Sequence, residues 1–176
     1  MAEGELKTKL VLGSAGKSEP EAVTLDIDPE HHPDVIHDLN QVPYPFADDA
    51  FEKISCHHVL EHLENLPPVM AELHRICKKD GEIFIEVPHH SSWCANTPHH
   101  KLRFNWFGFD DYLQDEYTWL TGNKFHLIKK EITFHRAHRR LFLHKLFNAC
   151  PTAYERFWTY MFPAEHFKIW LRPIKK

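Results

Sequence analysis

The sequence predicts an α/β fold built on a mostly parallel sheet of about six or seven strands, with reduced helices on one face. Three observations predict it. Short β-rich runs alternate with helical periodicity, and several of those runs are the near-continuous apolar stretches that buried parallel strands produce. The connections 17–22 and 29–34 are also too short to hold a crossover helix, which normally takes a dozen or more residues. A sheet face without helices must bury its apolar surface elsewhere, so either the aromatic carboxyl-terminal third or a second copy of the chain is expected to cover it.

The elements follow in order. Leu6–Leu12 reads as the first strand and ends in the glycine-punctuated turn Gly13-Ser14-Ala15-Gly16. Val23–Asp28 and Val35–Leu39 read as the second and third strands, and Phe51–His58 as the fourth. Pro67-Pro68 then opens a helix, because proline in the first turn gives up no helical hydrogen bond. Val69, Met70, Leu73, Ile76 and Cys77 recur at helical spacing, Lys78 and Lys79 suit the carboxyl end of the dipole, and Gly81 is the expected left-handed cap. Glu82–Val87 is the fifth strand and stops at Pro88. Phe109–Leu120 is expected to be a helix, Lys124–Phe134 a sixth strand and Phe167–Ile174 a seventh.

A chain of 176 residues suffices for one domain with a core and is too short for two ordinary ones. Residues 1–176 are therefore expected to form a single domain, with a ligand-binding core over 1–105 and an aromatic, basic part over 106–176. Composition supports that division. Residues 1–88 hold 7 Lys/Arg against 18 Asp/Glu, whereas residues 89–176 hold 14 against 7 and carry 19 of the 23 aromatic side chains. A chain polarised in this way is expected to have a scaffold half and a contact half. Four scattered cysteines without a C-x-x-C pair argue against a zinc knuckle or a disulfide framework. No apolar run is long enough to span a bilayer and no signal-peptide pattern opens the chain, so a cytoplasmic location is expected.

In open α/β sheets, ligands bind beyond the carboxyl ends of the strands where strand order reverses. The residues at those ends are Gly13–Gly16, Asp26 and Asp28, Asp38-Leu39, His57-His58 and Pro88-His89-His90. Glycines let a backbone approach a ligand, one carboxylate can take both hydroxyls of a ribose, and another can accept from an adenine amino group. Neither G-x-G-x-x-G nor G-x-x-x-x-G-K-[ST] is present, so adenosine without a pyrophosphate is the expected ligand.

The runs LVLGSAG (10–16), TLDIDP (24–29), PDVIHDLNQVPYPFADDAFEKI (33–54), HHVLEHLEN (57–65), ELHRICKKDGEIFIEVPHHSS (72–92) and TPHHKLRF (97–104) resemble the small class I S-adenosylmethionine-dependent methyltransferases, in particular the compact "type 11" members of polysaccharide gene clusters. The resemblance covers about residues 8–105. It implies a Rossmann-like sheet, with S-adenosyl-L-methionine as cofactor. Gly13, Ser14, Ala15 and Gly16 would line its methionine end, Asp26 would hold the ribose, Asp38 and Leu39 the adenine, and His57 would lie beside it. The family loop usually reads G-C-G or G-x-G, and its Pro-Gly-Gly before strand five is here Lys79-Asp80-Gly81.

Histidines supply the other chemistry. A hydroxyl must lose a proton as it attacks the sulfonium methyl, and imidazole is suited to take it. His89 and His100 are the expected catalytic residues. His58-Val-Leu-Glu61-His62 also matches H-x-x-E-H, a zinc-hydrolase signature that would place both histidines on one helix face. No metal is expected, and the favoured reading is a set of polar residues at a helix start with His62 partly buried. The carboxyl-terminal Lys/Arg and aromatic residues suit a membrane interface or an anionic glycan. The expected activity is methyl transfer to a hydroxyl of a sugar, glycan or other small acceptor, ahead of nucleic acid, with peripheral membrane contact and a homodimer as further expectations. The alternatives are a non-catalytic cofactor-binding or scaffold protein and a histidine-dependent metal hydrolase.

Overall fold

A computed structural model describes residues 7–16, 19–114 and 122–175. Its strands are β1 (Lys9–Leu12), β2 (Ala22–Asp26), β3 (Val35–Ile36), β4 (Phe51–His57), β5 (Cys77–Pro88), β6 (Phe125–Phe134) and β7 (Ala164–Pro173). They form one seven-stranded sheet in the order β3-β2-β1-β4-β5-β7-β6. The first five strands pair in parallel, and β7 runs antiparallel between β5 and β6. The expected α/β sheet is therefore present, with its strand order reversing at β1, where a ligand crevice belongs. Residues after 105 supply two of the seven strands, so they complete the sheet and do not simply cap it.

Helix α1 (Leu66–Ile76) starts on the predicted prolines and buries Val69, Met70, Leu73 and Ile76 against the sheet. The left-handed cap expected at Gly81 does not exist. The chain turns extended at once, with Cys77 at φ −79°, ψ 137° already pairing with Phe51, and residues up to Gly81 bulge before the ladder resumes at Lys53 and Glu82. Gly81 is needed for close approach: a Cβ there would stand 2.9 Å from the Glu52 carbonyl oxygen and 2.7 Å from Cys77 Sγ.

The helix expected over 109–120 is a 3-10 turn at Asp110–Tyr112, and 115–121 lie outside the described residues. Three short helices between the last two strands, α2 (Arg136–Arg140), α3 (Leu143–Ala149) and α4 (Pro151–Ala153), are not among the elements expected from the sequence, although Leu143, Leu146 and Phe147 stand at helical spacing. A π-helical turn, Tyr154–Trp158, continues α4.

The thin side of the sheet is as predicted: the described residues between β1 and β2 form only turns, and β2 to β3 holds one 3-10 turn, Pro29–His31. The expectation that the carboxyl-terminal third covers that side is corrected. Ile54, Cys56, Ile83, Ile85, Val87, Phe167, Ile169 and Leu171 are buried together with α1 and the rings of Phe104, Phe109 and Tyr112. Alternation sends Lys53, Ser55, His57, Phe84, Glu86, Lys168 and Trp170 to the opposite face, where they are half-buried or exposed. This bare face is largely polar. Its two aromatic rings, Phe84 and Trp170, pack on each other at 4.8 Å, with Lys129 over Trp170. A face of this chemistry has little apolar surface left to hide, so the carboxyl-terminal aromatics pack on the α1 side instead.

Candidate active site

The turn after β1 is held in a conformation that favours glycine. Gly13 has φ +67° and donates its N–H to the Leu25 carbonyl at 2.9 Å. A Cβ at this position would come within 2.7 Å of the Val59 Cβ, so the segment after β4 packs directly on bare backbone. Ala15 also has positive φ, +46°, and donates its N–H to Asp26 Oδ2 at 2.9 Å. The four turn residues divide between two sides. Gly13 and Ala15 face the crevice, whereas Ser14 and Gly16 line a second hollow with Thr24, His31 and Asp34.

Asp26 closes β2. Its two carboxylate oxygens accept from the N–H groups of Ala15 and Asp28, and His31 Nδ1 lies 3.3 Å from Oδ2. Burial would raise its pKa, but the hydrogen bonds from Asp28, Ala15 and His31 outweigh that and the net shift is downward. The group is therefore a fixed anion. Asp38 Oδ1 accepts from the backbone and side chain of Asn40, and the Leu39 carbonyl accepts from the Tyr44 hydroxyl at 3.0 Å.

Asp26, Asp38 and Leu39 share one cavity of about 330 Å³ with Gly13 and Ala15. Its remaining walls are Leu25, Ile27, His37, Asn40, His58, Val59, His62 and Leu63. Ile27 is 63% exposed, an apolar surface offered to the crevice rather than to the core. The residues fit an adenosyl ligand. Apolar walls can sandwich a flat base, carboxylates stand where hydroxyl and amino donors would fall, and the volume is of small-molecule size. Ile27, Asn40 and Val59 lie outside the strand-end residues that the sequence marks. Their signal was adjacency, since each directly follows a strand-end residue in the sequence.

His57 is not part of this cavity. It is the last residue of β4, and alternation turns its ring to the bare face, against Phe84 at 5.0 Å and within 3.3 Å of Glu86 Oε2. The hydrogen bond from His57, with that from Lys168, brings the Glu86 pKa to about 2 against the cost of burial. His58 lines the cavity instead, because it takes a left-handed φ of +51° that ends the strand's alternation.

The two histidines expected to be catalytic lie in different settings. His89 is 0% exposed, with Nε2 donating to Glu155 Oε1 at 2.9 Å and Nδ1 accepting from the Ser91 N–H. Burial lowers its pKa despite the neighbouring carboxylate. Closed in this way, it has no nitrogen to offer an acceptor. His100 sits at the crevice rim, its ring 4.7 Å from that of His62, and its pKa is also lowered by burial. The H-x-x-E-H run is not one helix face: only Leu60–His62 forms a 3-10 turn, and His62 is exposed rather than partly buried.

Comparison with known proteins bears on this geometry. Residues 17–85 match the family model Methyltransf_11, a methyltransferase domain. That segment contains β2, β3, β4, α1 and most of β5. A S-adenosylmethionine-dependent methyltransferase from Archaeoglobus fulgidus superposes with a TM-score of 0.62 at 14% identity, over 93% of this chain and 85% of that one. The fold is the methyltransferase fold. The YcgJ protein of Bacillus subtilis matches it with a TM-score of 0.56 at 14% identity, over 99% of this chain and 94% of that one. A S-adenosylmethionine-dependent methyltransferase from Mesorhizobium loti matches with 0.56 at 12% identity, over 93% and 89%. No curated protein matches the chain. These likenesses support an enzyme of the class I methyltransferase type with S-adenosylmethionine as its cofactor. Among the described residues, no helix is long and apolar enough to cross a membrane.

Proposed function

We propose that this protein transfers a methyl group from S-adenosylmethionine to a hydroxyl of a sugar, glycan or other small acceptor in the cytoplasm. The observation that carries the reading is the convergence of Gly13, Asp26, Asp38 and Leu39, from three separate strand ends, on one cavity. The cofactor, when bound, supplies a methyl group on a sulfonium, and the chain's own residues do the rest. Asp26 would accept from the ribose hydroxyls, and the Ala15 and Asp28 N–H groups hold its carboxylate in place. Asp38 and Asn40 would hold the polar groups of the adenine, and Ile27, Leu39 and Val59 would be its apolar neighbours. Positioning the acceptor in line with the methyl group does most of the work.

His58 is the group proposed to take the acceptor's proton. It lines the cavity and is exposed there, with its Nδ1 3.4 Å from Glu61 Oε1. The carboxyl-terminal part is proposed to bring the acceptor. Phe142, Phe157, Trp158, Tyr160 and Met161 are exposed there beside Arg136, Arg139, Arg140, Lys145 and Arg156. This chemistry favours an anionic, lipid-linked glycan at a membrane surface.

The test is calorimetry with S-adenosylmethionine and S-adenosylhomocysteine, followed by transfer of a labelled methyl group to candidate glycans. Binding that weakens about 10- to 100-fold in Asp26→Ala is expected, the loss of hydrogen bonds to one charged group. Failure of both ligands to bind ends the reading. Binding without transfer to any hydroxyl acceptor favours the non-catalytic alternative.

A further inference from the structure

We propose that Glu61, His62 and His100 form a site for a divalent transition metal of the zinc class, at the rim of the crevice. Glu61 is 1% exposed, yet neither of its carboxylate oxygens receives a hydrogen bond. His58 Nδ1, 3.4 Å from Oε1, lacks hydrogen-bonding geometry. A buried carboxylate with no donor is costly, and such groups in folded proteins are normally paired or bound to a metal. His100 Nδ1 is likewise buried without a partner. One ligand atom each from Glu61, His62 and His100 lies within 4.8 Å of the other two.

The orientation of His62 supports the same conclusion. Its Nδ1 donates to the His99 carbonyl at 3.2 Å, which leaves Nε2 unprotonated in the neutral ring. Metal-binding histidines are commonly set in this manner, with one nitrogen tied to a carbonyl and the other free to ligate. Two imidazoles and one carboxylate are a ligand set that zinc accepts at sites retaining an open position.

Two other clusters of similar composition are already satisfied. Glu155 accepts from His89, His90 and the Trp106 N–H, and Glu86 is held by His57 and Lys168. Only the Glu61 group, among these clusters, combines burial with missing partners. His62 also lines the crevice, so a cation here borders the place where a hydroxyl acceptor would lie and offers its oxygen a ligand position. That last consequence rests on the methyl-transfer reading, whereas occupancy of the site does not.

The experiment uses the full-length chain without a histidine tag, stripped with a chelator and titrated with zinc chloride by calorimetry, with cobalt absorption as a second readout. Stoichiometric zinc is expected, with cobalt giving the visible bands of a low-coordinate nitrogen–oxygen site. His62→Ala, His100→Ala and Glu61→Gln are each expected to weaken binding on the order of 100-fold. Glu61→Gln keeps the side chain's volume and is checked for folding by circular dichroism. His166→Ala, in another cluster, should retain parent affinity. Absence of stoichiometric zinc, or zinc that survives all three substitutions or is lost in His166→Ala, overturns the assignment. S-adenosylmethionine binding is measured separately on the metal-free protein, so failure of the cofactor reading and failure of the metal site are told apart.

Discussion

Glu155 and His89, 66 residues apart in the chain, share a 2.9 Å hydrogen bond that joins the turn after α4 to the carboxyl end of β5. The carboxylate is 7% exposed and the ring is sealed. Its other donors, His90 and the Trp106 N–H, come from the segment that follows β5. Through this one side chain the carboxyl-terminal helices are tied to the functional end of the sheet. Replacing Glu155 with alanine strands three donors at once, the sealed His89 ring and the half-buried His90 ring and Trp106 N–H. We expect Glu155→Ala to lower unfolding free energy by about 3 kcal/mol, the usual loss when one partner of a buried pair is removed. Denaturant titration checks this, and a change under 1 kcal/mol would place the pair among weak surface contacts.

Acid should destabilise the fold in two stages. The ordinary His89 value is 6.5 and the folded one is lower because of burial, so stability is complete above 6.5 and begins to fall below it as the unfolded ring takes up a proton. Glu86 and Glu155 have folded values near 2 against 4.5 in the unfolded chain. Their contribution is present above 4.5 and disappears as pH drops towards 2. Thermal melts from pH 8 to pH 3 should show a falling midpoint over both ranges, with the lower stage reduced in Glu155→Gln. A midpoint that rises on acidification contradicts the assignment.

Gly13→Ala should affect both stability and binding. The new methyl group meets Val59 at 2.7 Å and the residue must hold φ +67°. The backbone strain alone costs about 1–3 kcal/mol, and the turn that carries Ala15 to Asp26 must shift. Cofactor affinity is expected to fall at least about tenfold, roughly 1.4 kcal/mol, measured by calorimetry. Val59→Ala in the same chain removes the Cγ2 contact at 2.8 Å but keeps the Cβ at 2.7 Å, so little of the loss should return, whereas Val59→Gly removes both contacts and leaves only the strain at φ.

His58→Gln and His89→Gln should differ in kind. His58 lines the cavity, so its replacement is expected to lower kcat by about 10²-fold or more with little effect on the melting temperature. His89 is sealed against Glu155, so its replacement should lower the melting temperature and leave the pH dependence of the rate unchanged. A pH profile altered only in His89→Gln would reverse the assignment.

Local chemistry made much of this protein legible in its sequence. Apolar runs marked the strands, Pro67-Pro68 marked the start of α1, and the short connections 17–22 and 29–34 announced a sheet thin on one side. Asp26, Asp38 and Leu39 could be expected to line one cavity because strand ends in a parallel sheet share one edge. Other features depended on contacts between segments distant in the chain. Gly81 looked like a helix cap and is a bulge glycine, since Cys77 is drawn into pairing with Phe51. His57 and His58 are neighbours in sequence, yet one faces Phe84 and the other the crevice, a choice made by a single left-handed residue at the end of β4. His89 seemed available until Glu155 closed over it. Sequence alone thus determined which segments are strands and their succession along the chain, because hydrophobic pattern and turn chemistry act within a few residues. Tertiary structure decided which polar side chains were free to act, because that depends on partners brought together from 29 to 66 residues away.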